Sequence, residues 1–172
     1  MRNDKIKTLK ELEKIIKFIR FYGYNKIVWT NGCFDLFHIT HLKLLQLCKK
    51  KGDILVVGIN SNASVKRLKG INRPINNLKN RAEVIAGLTC VDYVISFKDI
   101  SPKKILDIIK PDIYIKGGDY TIDTINQEER KIIESYGGVV DVIKTSTKFS
   151  TSKLIDKIRK SILYEDGKSK CR

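Results

Sequence analysis

The two histidines of the chain, His38 and His41, lie three residues apart in the stretch Thr30-Asn31-Gly32-Cys33-Phe34-Asp35-Leu36-Phe37-His38-Ile39-Thr40-His41. Gly32 permits a tight turn and a close approach of backbone to a phosphate. Residues at i and i+3 share a face once a helix begins, so both imidazoles are expected to point the same way. The free amides of a helix start favour an anion at that point, and imidazoles beside it can donate hydrogen bonds to its oxygens. The chemistry that suits this set is transfer of a phosphoryl-type group, in which the protein positions the reactants and neutralises charge. Cys33, His38 and His41 make a poor zinc site, because no fourth Cys or His lies near them. Direct transfer also needs no covalent enzyme group, which removes the case for Cys33 as a nucleophile.

A histidine pair works only if the surrounding elements hold it at a ligand-binding edge. Apolar periodicity alternates between helical and strand spacing along nearly the whole chain. Thr8-x-x-Glu11 reads as a capping box opening a helix to about Phe21. Strands are expected at Lys26 to Thr30, Ile54 to Ile59, Tyr93 to Phe97, Ile113 to Lys116 and Val139 to Ile143. Between them fall helices at Ile39 to Lys50 (with Leu42, Leu45 and Cys48 on one face), Ala63 to Leu68, Leu78 to Leu88 after an Asn77 cap, and Ile125 to Tyr136. Ser101-Pro102 reads as a cap and first-turn proline for a further helix, and Thr151 to Leu163 as the last one. Five strands alternating with helices predict an α/β fold, a Rossmann-like, doubly wound parallel five-stranded sheet with helices on both faces. In such sheets ligands bind beyond the carboxyl ends of the strands, where the strand order reverses. Thr30 to His41 follows the first strand and falls at that place. Residues 1–163 are expected to form a single domain, with 164–172 a loose tail.

Composition narrows the setting. The chain has 172 residues and a net charge of +15, from 34 Lys and Arg against 19 Asp and Glu. That excess favours phosphorylated ligands. No block of five like charges marks a nucleic-acid or membrane-binding stretch, so neither partner is expected. The charged amino terminus does not read as a signal peptide, and the longest apolar run, Ile54 to Ile59, is too short to cross a bilayer. Four scattered cysteines without a Cys-x-x-Cys pair fit reduced thiols in the cytoplasm.

Other stretches carry matching chemistry. Lys116-Gly117-Gly118-Asp119 follows the fourth strand, where glycines admit backbone contact with a nucleotide; a plain turn would have the same look. Ser150-Thr151-Ser152 opens the last helix, where hydroxyls and amides can cap it and grip phosphate. Lys66, Arg67, Lys69, Arg73 and Arg81 gather around a polar loop, either holding a substrate phosphate or forming a solvated basic face.

The Thr30 to His41 stretch resembles the cytidylyltransferase-like superfamily, whose signature is H-x-G-H after a T-x-G-x-F-D strand end. Val57 to Gly70, Arg73-Pro74-Ile75-Asn76, Arg81 with Val91-Asp92, Pro111 to Tyr120 and Ser150-Thr151-Ser152 narrow the resemblance. In unbroken order over residues 5–160, they are similar to the D-glycero-β-D-manno-heptose 1-phosphate adenylyltransferases. These occur alone or as half of a two-domain heptose kinase/adenylyltransferase. The resemblance implies transfer of AMP from ATP to the sugar phosphate, with release of pyrophosphate. It implies catalysis by His38 and His41, and nucleotide binding by Thr30, Asn31, Gly32, Phe34, Asp35, Lys116, Gly117, Gly118, Asp119, Ser150, Thr151 and Ser152. Asn60, Lys69, Arg73 and Arg81 would hold the acceptor phosphate. Mg²⁺ would arrive with the nucleotide and take no direct protein ligand. A homo-oligomer, such as a dimer, and a separate heptose kinase in the same pathway also follow. The chain departs from the pattern at Thr40, where the motif has glycine, at Phe149, where the heptose branch has Arg, and at Ser152, where it has Thr. Phe149 keeps open CTP as donor with glycerol 3-phosphate as acceptor. Thr40 keeps open a nucleotide-binding module with little activity.

Overall fold

The structure is a computed structural model; it describes residues 3–23, 25–144 and 150–168, with 162–168 as backbone alone. Phe149 and residues 169–172 of the expected tail lie outside the described residues. Five strands, β1 (Ile27–Gly32), β2 (Ile54–Asn60), β3 (Tyr93–Phe97), β4 (Ile113–Gly117) and β5 (Val139–Ile143), form one sheet in the order β3-β2-β1-β4-β5. Every neighbouring pair is parallel. The helices are α1 (Leu9–Tyr22), α2 (Ile39–Lys49), α3 (Asn62–Lys69), α4 (Leu78–Ala86), α5 (Lys103–Ile109), α6 (Gln127–Ser135) and α7 (Thr151–Lys168).

Alternation along the strands builds two cores, because successive side chains leave a strand on opposite faces. Val28, Leu55, Val57, Val94 and Ile115 pack with Leu44, Leu45 and Cys48 of α2 and with Ala82 and Ile85 of α4. Ile27, Trp29, Val56, Ile95 and Tyr114 pack on the other side with Leu12 and Ile16 of α1, Leu106 and Ile109 of α5 and Ile133 of α6. With both faces covered, Ile54 to Ile59 of β2 runs without a polar residue, the pattern of a doubly wound parallel sheet.

Most helix starts obey their local signals. Thr8 caps α1 in a reciprocal box with Glu11, and Asn77 caps α4 by accepting from the Asn80 amide. Three expectations need correction. Pro102, not Ser101, stands at the cap position of α5, and the Ser101 hydroxyl donates instead to Glu129 Oε1 at 2.7 Å. On α2 the buried residues are Leu44, Leu45 and Cys48, whereas Leu42 is half-buried. The last helix runs to Lys168, five residues past the Leu163 end read from its periodicity. Among the described residues no helix is long and apolar enough to cross a membrane.

Candidate active site

The strand order reverses at β1, whose neighbours are β2 on one side and β4 on the other. A crevice must open between diverging connections at such a point, and a cavity of about 590 Å³ lies there. The end of β1 contributes Asn31, Gly32, Cys33, Phe34 and Asp35, and the start of α2 contributes His38, Thr40 and His41. Lys116 to Asp119 approach from β4, Ser150 to Ser152 from the start of α7, and Asn60, Lys69 and Arg73 from the opposite flank. Stretches from four parts of the chain, residues 31–41, 60–73, 116–119 and 150–152, thus converge on one space.

The two histidines form its centre. Their rings stack at a centroid distance of 3.8 Å and an interplanar angle of 23°. His41 is also wedged between aromatic rings, 5.3 Å from Phe34 and 5.7 Å from Phe37. Phe34 reaches this place with φ of 47°, a left-handed conformation uncommon for a non-glycine residue and frequent where a site constrains the backbone. His38 is the N-cap residue of α2, yet its side chain makes no capping bond. The side chain is therefore released from the helix and stacked on His41. Burial, and then the neighbouring His38, push the His41 pKa down to about 4; burial also lowers that of His38. Both imidazoles are therefore neutral at pH 7, each with one N–H to donate. The Nδ1 atoms of both are buried and take no partner among the described residues. A bound anion would reverse the electrostatic part of this, since negative charge favours the protonated ring.

Across the crevice Lys116 Nζ lies 3.1 Å from Asn31 Oδ1 and 3.4 Å from a carboxylate oxygen of Glu129. Desolvation lowers the Lys116 pKa, and Glu129 opposes that shift. Gly117 is required by packing: a Cβ there would come within 2.3 Å of Leu44 Cδ2 on α2. Gly118 is required by conformation, with φ of +123°. Ser150 Oγ accepts from the Lys153 amide at 3.3 Å, so it caps α7 while lining the cavity. Thr151 Oγ1 donates to the Leu36 carbonyl at 3.4 Å, tying α7 to the loop that carries the histidines.

Two residues read as ligand contacts, Thr30 and Arg81, are placed otherwise, and a third, Asp35, lines the cavity with its carboxylate already engaged. Thr30 is fully buried within β1 beside the Cys48 thiol and does not line the cavity. Arg81, 2% exposed, donates to the carbonyls of Asn76, Cys33 and Asn60 and to Asn62 Oδ1 at 2.6–3.0 Å. It laces together the carboxyl ends of β1 and β2 and is not presented to a phosphate. Asp35 lines the cavity, but its carboxylate accepts from the amides of Ile75 and Asn76 at 3.0 and 2.8 Å and sits 2.6 Å from Arg73 Nε. Its acceptors fix the 73–76 loop, and an anionic nucleotide would find that carboxylate already paired. Lys69 and Asn60 do line the cavity as expected. Glu129, with Tyr114, escaped the sequence reading. A carboxylate in the first turn of α6 has the look of an ordinary solvated helix start, and only the tertiary structure reveals that it is 3% exposed.

Comparison with known proteins agrees with this geometry. The Cytidylyltransferase-like family model matches residues 29–163. Bifunctional protein HldE of Geobacter metallireducens is 46% identical over 154 residues, covering 90% of this chain and 31% of that protein. Bifunctional protein HldE of Syntrophotalea carbinolica is 41% identical over 165 residues, covering 96% of this chain and 33% of that protein. The chain thus spans about a third of the length of these curated relatives. The crystal structure of the lipopolysaccharide core biosynthesis protein from Thermoplasma volcanium GSS1 superposes with a TM-score of 0.60 at 28% identity, covering 74% of this chain and 100% of that one. The family match begins at Trp29, just before the histidine-bearing stretch, and closes within α7. It therefore takes in every element that lines the crevice, and the chain belongs to the cytidylyltransferase-like family.

Proposed function

We propose that the chain is an adenylyltransferase that joins AMP from ATP to D-glycero-β-D-manno-heptose 1-phosphate, giving ADP-heptose and pyrophosphate. The observation that carries this reading is the stacked His38–His41 pair at the start of α2, which lines the switch-point crevice together with the hydrogen-bonded Lys116 and Asn31. The heptose acceptor is supported by the HldE relatives and by the Lys116-Gly117-Gly118-Asp119-Tyr120 stretch that resembles the heptose branch.

A phosphate oxygen of the acceptor attacks the α-phosphorus in line. The new O–P bond forms as the bond to the bridging oxygen breaks, and pyrophosphate leaves with that electron pair. His38 and His41 donate hydrogen bonds to α- and β-phosphate oxygens as negative charge moves onto the leaving group. Lys116 from β4 and Asn31 from β1 hold the triphosphate between them, while Gly118, Asp119 and the start of α7 enclose the nucleoside. Lys69 and Asn60 receive the acceptor phosphate. Arg73 joins them through its Nη groups, because its Nε is engaged by Asp35. The donor set fits Mg²⁺ carried by the nucleotide: of the two carboxylates that line the cavity, Asp35 is already paired with Arg73 and two amides, which leaves Asp119. When bound, the ion supplies further neutralisation of the phosphates. The setting that goes with this activity is the cytoplasm, with a homo-oligomer of this chain and a separate kinase that makes the sugar 1-phosphate.

A panel of ATP and CTP against heptose 1-phosphate and glycerol 3-phosphate, scored by pyrophosphate release, tests the proposal. Release confined to ATP with heptose 1-phosphate is expected. Release with CTP and glycerol 3-phosphate would overturn the substrate assignment, and nucleotide binding without release under any pair would overturn the enzyme.

A further inference from the structure

Glu129 does not line the cavity, and the transfer step described above gives it no role. It is nonetheless a carboxylate buried to 3% exposure, which is unfavourable unless its oxygens are paired and hydrogen-bonded. Both are. Ser101 Oγ donates to Oε1 at 2.7 Å, the Tyr114 hydroxyl donates to Oε2, and Lys116 Nζ lies 3.4 Å from Oε2. The Glu129 amide is itself capped by Asn126 Oδ1 at 3.1 Å. The carboxylate is thus fixed from α6, from β4 and from the loop before α5, and it forms a rigid countercharge beneath a flexible lysine stem.

The consequence reaches the cavity through Asn31. Its Oδ1 atom receives Lys116 Nζ at 3.1 Å and Trp29 Nε1 at 3.3 Å, and the Tyr114 hydroxyl lies 3.4 Å away. Donors converging on one atom identify it as the oxygen, so the amide nitrogen faces away from them. That nitrogen has no partner among the described residues, and Asn31 lines the cavity.

We propose that Glu129 is a positioning residue for nucleotide binding, which through Lys116 holds the Asn31 amide with its N–H group presented to the crevice. This rests on the reading of the crevice as the triphosphate site. The test is a mutant cycle on the whole chain, with ATP affinity measured by calorimetry and KM values measured by pyrophosphate release. Glu129→Gln keeps the shape and removes the countercharge. It is expected to weaken ATP binding about tenfold and to leave the acceptor KM within about twofold. In a Lys116→Met background the same substitution is expected to add less than about twofold, because Glu129 acts through the lysine. Glu129→Asp, retaining charge at shorter reach, should recover part of the loss. Tyr114→Phe removes one anchor of the carboxylate with little change of volume, and should shift ATP affinity the same way by a smaller factor. It serves as the decisive variant if Glu129→Gln does not fold. Unchanged ATP affinity in the folded variants, or an equal loss in both lysine backgrounds, would overturn the proposal while the functional reading stands. Absence of any ATP binding by the unaltered chain would overturn that reading, and this inference with it.

Discussion

Replacing His41 by alanine deletes a phosphate donor from a ring stack and leaves the sheet untouched. Turnover is expected to fall about 10²–10³-fold, the loss typical of removing one preorganised donor, with the circular dichroism spectrum unchanged. Near-normal pyrophosphate release from the folded variant would sink the mechanism. The same residue makes stability depend on pH in a definite direction. Its folded pKa of about 4 lies below the unfolded value of about 6.5. Between those two values the unfolded chain binds more protons, so stability rises with pH across this window and is lost as pH falls from 6.5 towards 4. Melting temperatures over pH 4–7 should show that slope, and His41→Phe should flatten it. Nucleotide should also be bound with proton uptake near pH 5–6, because triphosphate charge raises the imidazole pKa values. Calorimetry in two buffers of different ionisation enthalpy reads this directly.

Elements meet at positions that tolerate little change. Gly117 at the end of β4 leaves no room for a Cβ against Leu44 of α2, the helix that carries His41 and has His38 at its N-cap. Gly117→Ala is therefore expected to lower stability by about 1–3 kcal/mol, as overpacking does. Adding Leu44→Ala should make the double variant less destabilised than the sum of the singles, because the cavity and the new methyl occupy the same space. Additive losses in urea unfolding would contradict that contact. Arg81→Met should be worse, by about 3–5 kcal/mol, since it strands buried carbonyls on three segments at once. At this scale the sequence was largely readable. Strand alternation, the Thr8–Glu11 box and the Asn77 cap are local patterns, and the structure reproduces them within a residue or two. The stretches that line the crevice were also readable, because a strand end followed by a helix start reports its own chemistry. What local pattern could not show was pairing between distant side chains. Arg81 reaches the Cys33 carbonyl 48 residues away, Asp35 engages amides 40 and 41 residues away, and Ser101 turns from the helix it precedes to Glu129, 28 residues on. A basic residue in a polar loop looks the same whether it binds substrate or ties down backbone.

The whole molecule carries a charge of +15, so its long-range field attracts polyanions irrespective of contact geometry. Raising salt from about 50 to 300 mM shortens the Debye length from roughly 14 to 6 Å, and the KM for ATP is expected to rise several-fold. An insensitive KM would mean that the excess lysines serve only as solvated surface. The strand order has a different consequence. β1 and α2 supply one wall of the crevice, while β4 and the start of α7 supply the other, and β1 and β4 are joined directly by only three paired positions. A ligand spanning that seam acts as a clasp between two halves of the sheet, so amide exchange should slow on both sides of it together.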